Sequence, residues 1–354
     1  MVQVSSDILA LTSEALVLVQ AGRVGFANAA AKKLLGSECE GERVGELFPA
    51  EIVCAQGSGF IADTLIKGKR CIVRVTKHEG MQAIFIAEPK SEPVMLSEAL
   101  IYSMRNNLMT ICMTTELCRT RAEDIGDDAL RAGVATMSQS YFRMTRLLEN
   151  LSAAKSMLSD GIRFAPVRVS LTEMCKSIVG RAGMLCCEPE VSYEGGDAEH
   201  IIEADPALIE LMLLNLISNS LVHAEGCTRV ALRIMDAGEN VILSVTDNGR
   251  GIASEELPSV FDRYTHSFTL SGMGEGAGLG MTVVRGVAEK HGGTLLLESR
   301  TGIGTTVRVS LKKSQGLNAA LGAPAEHYDA GSISVITGLA DFLPEQCFKE
   351  KYLD

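Results

Sequence analysis

Val241-Ile-Leu-Ser-Val-Thr-Asp247-Asn248-Gly249-Arg250-Gly251-Ile252 is the stretch on which the reading of this chain turns. Its apolar run predicts a strand, and an acidic residue followed by two closely spaced glycines predicts a tight turn at the strand's end. Ionised Asp247 is an acceptor-only group, suited to a ligand's amino group. Two further segments flank it. Upstream, Asn215-Leu-Ile-Ser-Asn219-Ser220 lies in the apolar helical run 208–221. Its asparagines, four apart, share a helix face from which both amide oxygens can approach a Mg²⁺ that bridges phosphates. Downstream, Gly274-Glu-Gly276-Ala-Gly278-Leu279-Gly280 opens a helical run that ends at His291. Glycines there free the N–H groups of a helix N-terminus to cradle an anion. Each segment alone is as well explained by a structural turn or helix face; together, in this order, they point to a nucleotide site.

The three segments resemble the motifs of the catalytic and ATP-binding domain of sensor histidine kinases, a resemblance that covers about residues 165–312. It implies a Bergerat-type α/β sandwich, with strands at VRVSL, TRVALRIM, VILSVTD, TLLLES and TVRVSL and helices on one face of a sheet. It also implies ATP and Mg²⁺ as ligands. Asn215 and Asn219 would then face the metal, Asp247 the adenine amino group, and Gly249 and Gly251 the base. Gly276, Gly278, Leu279 and Gly280 would hold the phosphates, with Thr305 in the same pocket. Val260-Phe-Asp-Arg263-Tyr-Thr-His266 resembles a mobile lid, bringing Arg263 and His266 within reach of the terminal phosphate. Gyrase-like relatives place a hydrolytic Glu where this chain has Asn215, so phosphoryl transfer is favoured over hydrolysis. Val222 replaces a lysine that usually contacts phosphate, which weakens the expected binding.

Before this domain, Ile101, Met104, Leu108, Ile111, Thr115 and Cys118 recur at alternating spacings of three and four, and so do Val134, Met137, Tyr141, Met144, Leu148 and Leu151. These are two coiled-coil seams separated by the acidic break RAEDIGDD. An antiparallel helical hairpin follows, and a second copy would cover its stripes in a four-helix bundle, a homodimer that lysines at Leu108 and Leu148 are expected to dissociate. A hairpin packed on its own neighbours is the alternative. The family's phosphoacceptor segment corresponds to Tyr102-Ser103-Met104-Arg105-Asn106-Asn107-Leu108, which puts Tyr102 at the histidine position and Ser103 at its acidic partner's. A phenol with an ordinary pKa of about 10 and no base beside it is a poor nucleophile. Asn106 occupies the place from which relatives orient an attacking water, and Asn107 stands where a helix-kinking proline is usual.

The first ninety residues contain β-type runs at 15–19, 23–27, 71–75 and 83–87, and the second is followed by FANAAAKKLLG. That order resembles a PAS sensor, in which an Asn-Ala step opens the first helix; an unrelated small α+β domain is the alternative. The expected organisation is a PAS-like domain (1–90), a dimerisation helix pair (91–160), an ATP-binding domain (161–313) and a partly disordered C-terminal extension (314–354). With 44 acidic against 33 basic residues the chain has no general attraction for nucleic acid or an anionic membrane. No apolar run is read as membrane-spanning, and the ten scattered cysteines suit reduced thiols, so a cytoplasmic location is expected. The combined expectation is a two-component signalling pseudokinase that binds ATP and acts on a response regulator or a partner kinase. An active kinase using a non-histidine or partner residue, and a response-regulator phosphatase, are the alternatives.

Overall fold

The computed structural model describes residues 15–49, 52–53, 59–78, 80–87, 98–158, 164–185, 188–253, 279–315 and 332–348. At the N-terminal end, β1 (Ala15–Gln20) and β2 (Arg23–Ala27) form a hairpin, and α1 (Ala29–Leu35) follows. Asn28 fixes this start: its buried Oδ1 accepts from Leu16 N at 3.0 Å and Ala31 N at 2.9 Å, capping the helix and tying it to the first strand. The short α2 (Val44–Leu47) and three strands, β3 (Gly59–Ile66), β4 (Lys69–His78) and β5 (Met81–Ala87), complete an antiparallel order β2-β1-β5-β4-β3. β3 lies outside the sequence reading because its strand formers are interrupted by Gly59, Ala62 and Asp63, residues depleted in strands.

The helix pair forms as the seams require. α3 (Glu98–Ile125) ends at Gly126, whose φ of 73° is the left-handed conformation glycine adopts cheaply. Asp127 Oδ1 then accepts from Ala129 N and Leu130 N, opening α4 (Asp128–Leu158). Arg119 donates to Ser138 Oγ at 2.6 Å and Arg105 to Ser152 Oγ at 3.4 Å, so the helices run antiparallel. Each seam divides. Ile101, Leu108, Thr115, Val134 and Leu148 are buried within one chain, while Met104, Ile111, Met137 and Met144 remain exposed. Leu108 and Leu148 therefore belong to the hairpin's own core, which corrects their choice as positions for splitting a dimer.

In the second half, β6 (Val167–Ser170) pairs with β8 (Ile201–Ala204) in a separate two-stranded sheet, and Leu171 already begins α5 (Leu171–Leu185). The VRVSL run thus lies outside the main sheet. That sheet takes β7 (Glu190–Tyr193), β9 (Arg229–Ala237), β10 (Asn240–Asp247), β11 (Leu295–Arg300) and β12 (Gly304–Lys312) in the order β11-β12-β10-β9-β7, with only β7 and β9 parallel. Val241, Leu243 and Val245 point into a core shared with α6 (Pro206–His223) and α7 (Leu279–Lys290). By length and composition α6 is apolar enough to cross a membrane, which corrects the reading that no such run exists. Its buried residues run from Ile209 to Leu221 around nearly the whole helix, as in the core helix of a globular domain.

Two features join parts that the sequence reading kept separate. β11 pairs antiparallel with β3, Leu295–Glu298 against Phe60–Asp63, so one ten-stranded sheet runs through both halves. Leu295 and Leu297 face the core of the second half while Leu296 fills the N-terminal core, and the edge of the strand is covered. Three consecutive leucines carry this signal, because a strand with one wet face alternates. The tail is the second. Residues 332–348, expected in a partly disordered extension, form α8 (Ser332–Leu339) and a 3₁₀ turn (Glu345–Phe348) with Val335, Ile336, Leu339, Leu343 and Phe348 buried. With Ala340 these make six buried apolar residues, enough to fold a short segment once a groove exists to receive them.

Candidate functional site

Asp247 ends β10 and is only 5% exposed. Its Oδ1 accepts from Gly249 N at 3.0 Å and Thr305 N at 3.1 Å, which fixes the carboxylate's plane. Burial pushes its pKa above the usual aspartate value, and the two backbone N–H groups oppose that shift without cancelling it. The glycines beside it answer to close approach by the protein's own backbone. A Cβ on Gly249 would lie 2.5 Å from Ala224 Cβ at the end of α6. Gly251, at φ +66°, abuts the Arg300 carbonyl. Both are therefore needed to form the turn, whatever they also offer a base. Gly304, unread in the sequence, packs on the Asp247 carbonyl in the same way. Thr305 sits one residue later, and its hydroxyl lies 2.8 Å from Ser299 Oγ, which also accepts from Ile252 N at 2.8 Å. Asn248 faces away from the site, its side chain binding Thr228 N, Arg229 N and Thr228 Oγ1.

α6 and α7 bring the other two segments together. A Cβ on Gly280 would stand 2.7 Å from Asn215 Oδ1 and 3.6 Å from Asn219 Oδ1, so the N-terminus of α7 rests directly on the asparagine face of α6. Gly280 is required by that contact, and Leu279 beside it is buried. The two asparagines differ, however. Asn219 is half-buried, whereas Asn215 is 2% exposed and already engaged. Its Nδ2 donates to Asn150 Oδ1 at 2.8 Å and Leu211 O at 2.9 Å, and its Oδ1 accepts from Asn150 Nδ2 at 3.0 Å. Asn150 escaped the sequence reading; it lies beside Glu149 among the leucines of LLENL, where a polar residue reads as an ordinary solvated helix position. Val222 is exposed, and Gly276, Gly278, Arg263 and His266 lie outside the described residues.

His291 closes the far end of α7. It is fully buried, its Nδ1 stands 2.8 Å from Val287 O, and its Nε2 accepts from Asp205 N at 3.1 Å. Those partners assign the proton to Nδ1. Asp205 in turn caps α6 through Ala207 N and Leu208 N, so the imidazole fixes the helix that carries both asparagines. Burial lowers its pKa below the ordinary histidine value. On the helix pair, Tyr102 is 68% exposed, and Asn106, one turn on, is exposed too. Cys175, in the domain core, has its thiol pushed up to about 12 by burial, which leaves it unreactive.

Residues 204–315 match the family described as "Histidine kinase-, DNA gyrase B-, and HSP90-like ATPase". This part of the chain is a sensor-histidine-kinase ATP-binding domain. The sensor histidine kinase ZraS of Escherichia coli O157:H7 is 34% identical over 227 residues, 62% of this chain and 48% of that protein. The sensor protein kinase PmrB of Pseudomonas aeruginosa is 29% identical over 204 residues, covering 55% and 40%. Among solved structures, the ATP-binding domain of PrrB from Mycobacterium tuberculosis is 27% identical over 42% of this chain and 97% of its own, with a TM-score of 0.35. The chain spans about half the length, or less, of the curated sensor kinases it matches. Within this domain Asp247 ends β10, while Gly280 at the start of α7 rests on Asn215 and Asn219 of α6.

Proposed function

We propose that the chain is a cytoplasmic, dimeric signalling pseudokinase that binds Mg²⁺–ATP and passes information to a response regulator or a partner kinase. The observation that carries the reading is Asp247, a buried carboxylate held in one orientation by two backbone donors within a domain of an ATPase family. A carboxylate kept at this cost is a physical sign of a ligand site. In this reading Asn219 takes the metal, Gly280 and the residues before it take the phosphates, and Thr305 supports Asp247 from its backbone. Asn215 joins the metal only after leaving Asn150. Arg263, His266, Gly276 and Gly278 complete the proposed phosphate environment.

The pseudokinase part rests on chemistry. Tyr102 is accessible, but the family's acidic partner is Ser103 here, and Val222 offers phosphate no cation. The dimer draws support from Met104, Ile111, Met137 and Met144, four seam residues at heptad spacing that stay bare when the hairpin has closed. The Asn28-capped helix after β2 favours the PAS-like sensor. A phosphatase reading draws on the exposed amide of Asn106, on the same helix face as Tyr102 and one turn away. Titration calorimetry with Mg²⁺–ATP tests the central part. Binding that weakens sharply in Asp247→Asn is expected, and no heat at millimolar ATP in the wild type would refute it.

A further inference from the structure

The tail described above lies where two units meet. From α4, Gln139 donates to Leu343 O at 2.7 Å, Arg143 to Ala340 O at 3.1 Å, and Arg146 pairs with Asp341. From α3, Arg119 donates to Phe348 O at 2.8 Å, and the Phe348 ring stands 5.7 Å from that of Phe142. On its other side the tail meets the ATP-binding domain. Ser334 donates to Glu210 of α6 at 2.5 Å, and a Cβ on Gly338 would lie 2.8 Å from Leu214, so α8 rests on α6 without a gap. Four helix-pair side chains and one ATP-domain carboxylate thus converge on seventeen consecutive residues, 332–348. Most of the bonds from the helix pair go to the tail's backbone carbonyls, which makes them depend on the tail's folded shape.

The same arrangement presses α4 onto the nucleotide corner. A Cβ on Gly286 of α7 would overlap Met157 Sδ, so α4 and α7 are in close contact there, and Asn150 holds Asn215 by two hydrogen bonds. An Asn215 so engaged cannot turn its amide oxygen to a metal without breaking the pair.

We propose that residues 332–348 are a built-in clamp that holds the ATP-binding domain on the helix pair in a closed state, with Asn150 masking Asn215, and that Mg²⁺–nucleotide binding works against this clamp. The second half of the proposal rests on the nucleotide reading above; the first does not. Opening the clamp frees Asn215, so a variant that opens it binds nucleotide more tightly, because the apparent dissociation constant is divided by the competent fraction.

The test uses the full chain with Gly338→Leu, which wedges α8 from α6, and Asp341→Lys, which places like charge beside Arg143 and Arg146. Amide hydrogen exchange without nucleotide should rise in both variants across 134–150 and 206–223, as well as in 332–348. The double variant Arg146→Asp/Asp341→Lys should restore wild-type exchange, which separates loss of the clamp from general unfolding. A parallel titration with Mg²⁺–AMPPNP should tighten by about threefold or more in the open variants. Faster exchange confined to 332–348 would overturn the clamp. Faster exchange across both helices with unchanged nucleotide affinity would overturn its opposition to binding. If no chain binds nucleotide while exchange rises and is restored as described, the nucleotide reading fails and the clamp itself stands.

Discussion

In the proposed reading Asp247 and Tyr102 stand at the nucleotide and acceptor ends of a phosphotransfer, and their surroundings differ in nearly every physical respect. Asp247 is 5% exposed, oriented by Gly249 N and Thr305 N, and raised in pKa by burial. Tyr102 is 68% exposed on a helix face, followed by Ser103 where a base is expected. Burying a carboxylate costs stability, so the fold carries a burden at Asp247 that the proposed ligand would offset. An exposed tyrosine costs the fold nothing, and the residue that follows it, Ser103, is no base. In that reading the difference teaches that the nucleotide end of the chemistry can keep an oriented carboxylate while the acceptor position is left without its acidic partner.

Substitutions at the two ends should therefore separate cleanly. The largest effect is expected from Ile111→Lys with Met144→Lys, which puts two charges per chain into the bare half of the seam. It should weaken self-association by on the order of 3–5 kcal/mol, read by light scattering or sedimentation, while ATP affinity stays unchanged. Asp247→Asn should lose about 2–3 kcal/mol of nucleotide affinity by calorimetry and leave the dimer intact. A variant that shifted both readouts would break the separation.

Smaller effects sharpen the framework on which the donor site rests. Leu296→Ala should destabilise the chain by about 2 kcal/mol in denaturant unfolding, because its side chain fills the N-terminal core from an ATP-domain strand. His291 supplies a pH dependence with a definite sign. Its folded pKa lies below the unfolded value of about 6.5, so the native state prefers the neutral ring. Its contribution is complete above that value and is lost as pH falls through the folded pKa. His291→Phe should remove this slope from thermal unfolding followed between about pH 7 and 5, and cost about 1–2 kcal/mol by leaving the buried Asp205 N without its acceptor. Tyr102→Phe should change neither stability nor nucleotide affinity.

How far these features could be read in advance follows from how local each one is. The strand ending in Asp247, the asparagine face of α6 and the glycines before α7 carry their chemistry within a few residues, and the fold brings those described together. The seams gave both helices but could not tell which half of each faces its own hairpin, since Leu108 and Met104 carry the same apolar signal. The Asn150–Asn215 pair joins residues 65 apart in sequence, and Arg119 meets Phe348 across 229. Polar contacts of that separation leave no periodic trace. The tail was misjudged because its apolar residues, Val335, Ile336, Leu339, Ala340 and Leu343, keep a helical spacing for less than three turns; only the groove between α4 and α6 gives them a partner. The Leu295–Leu297 run did carry a legible sign of burial on both faces, and the strand that covers its edge was the one too weak to recognise.

The most direct test of the unprepared acceptor beside an organised donor is incubation of the purified chain with γ-labelled ATP and Mg²⁺, followed by acid and base treatment and peptide mapping. The account predicts no covalent label on the wild type, and an acid-labile label on the helix pair of Tyr102→His if the donor end is competent. An acid-stable label on the wild type that maps to Tyr102 and disappears in Tyr102→Phe would contradict it.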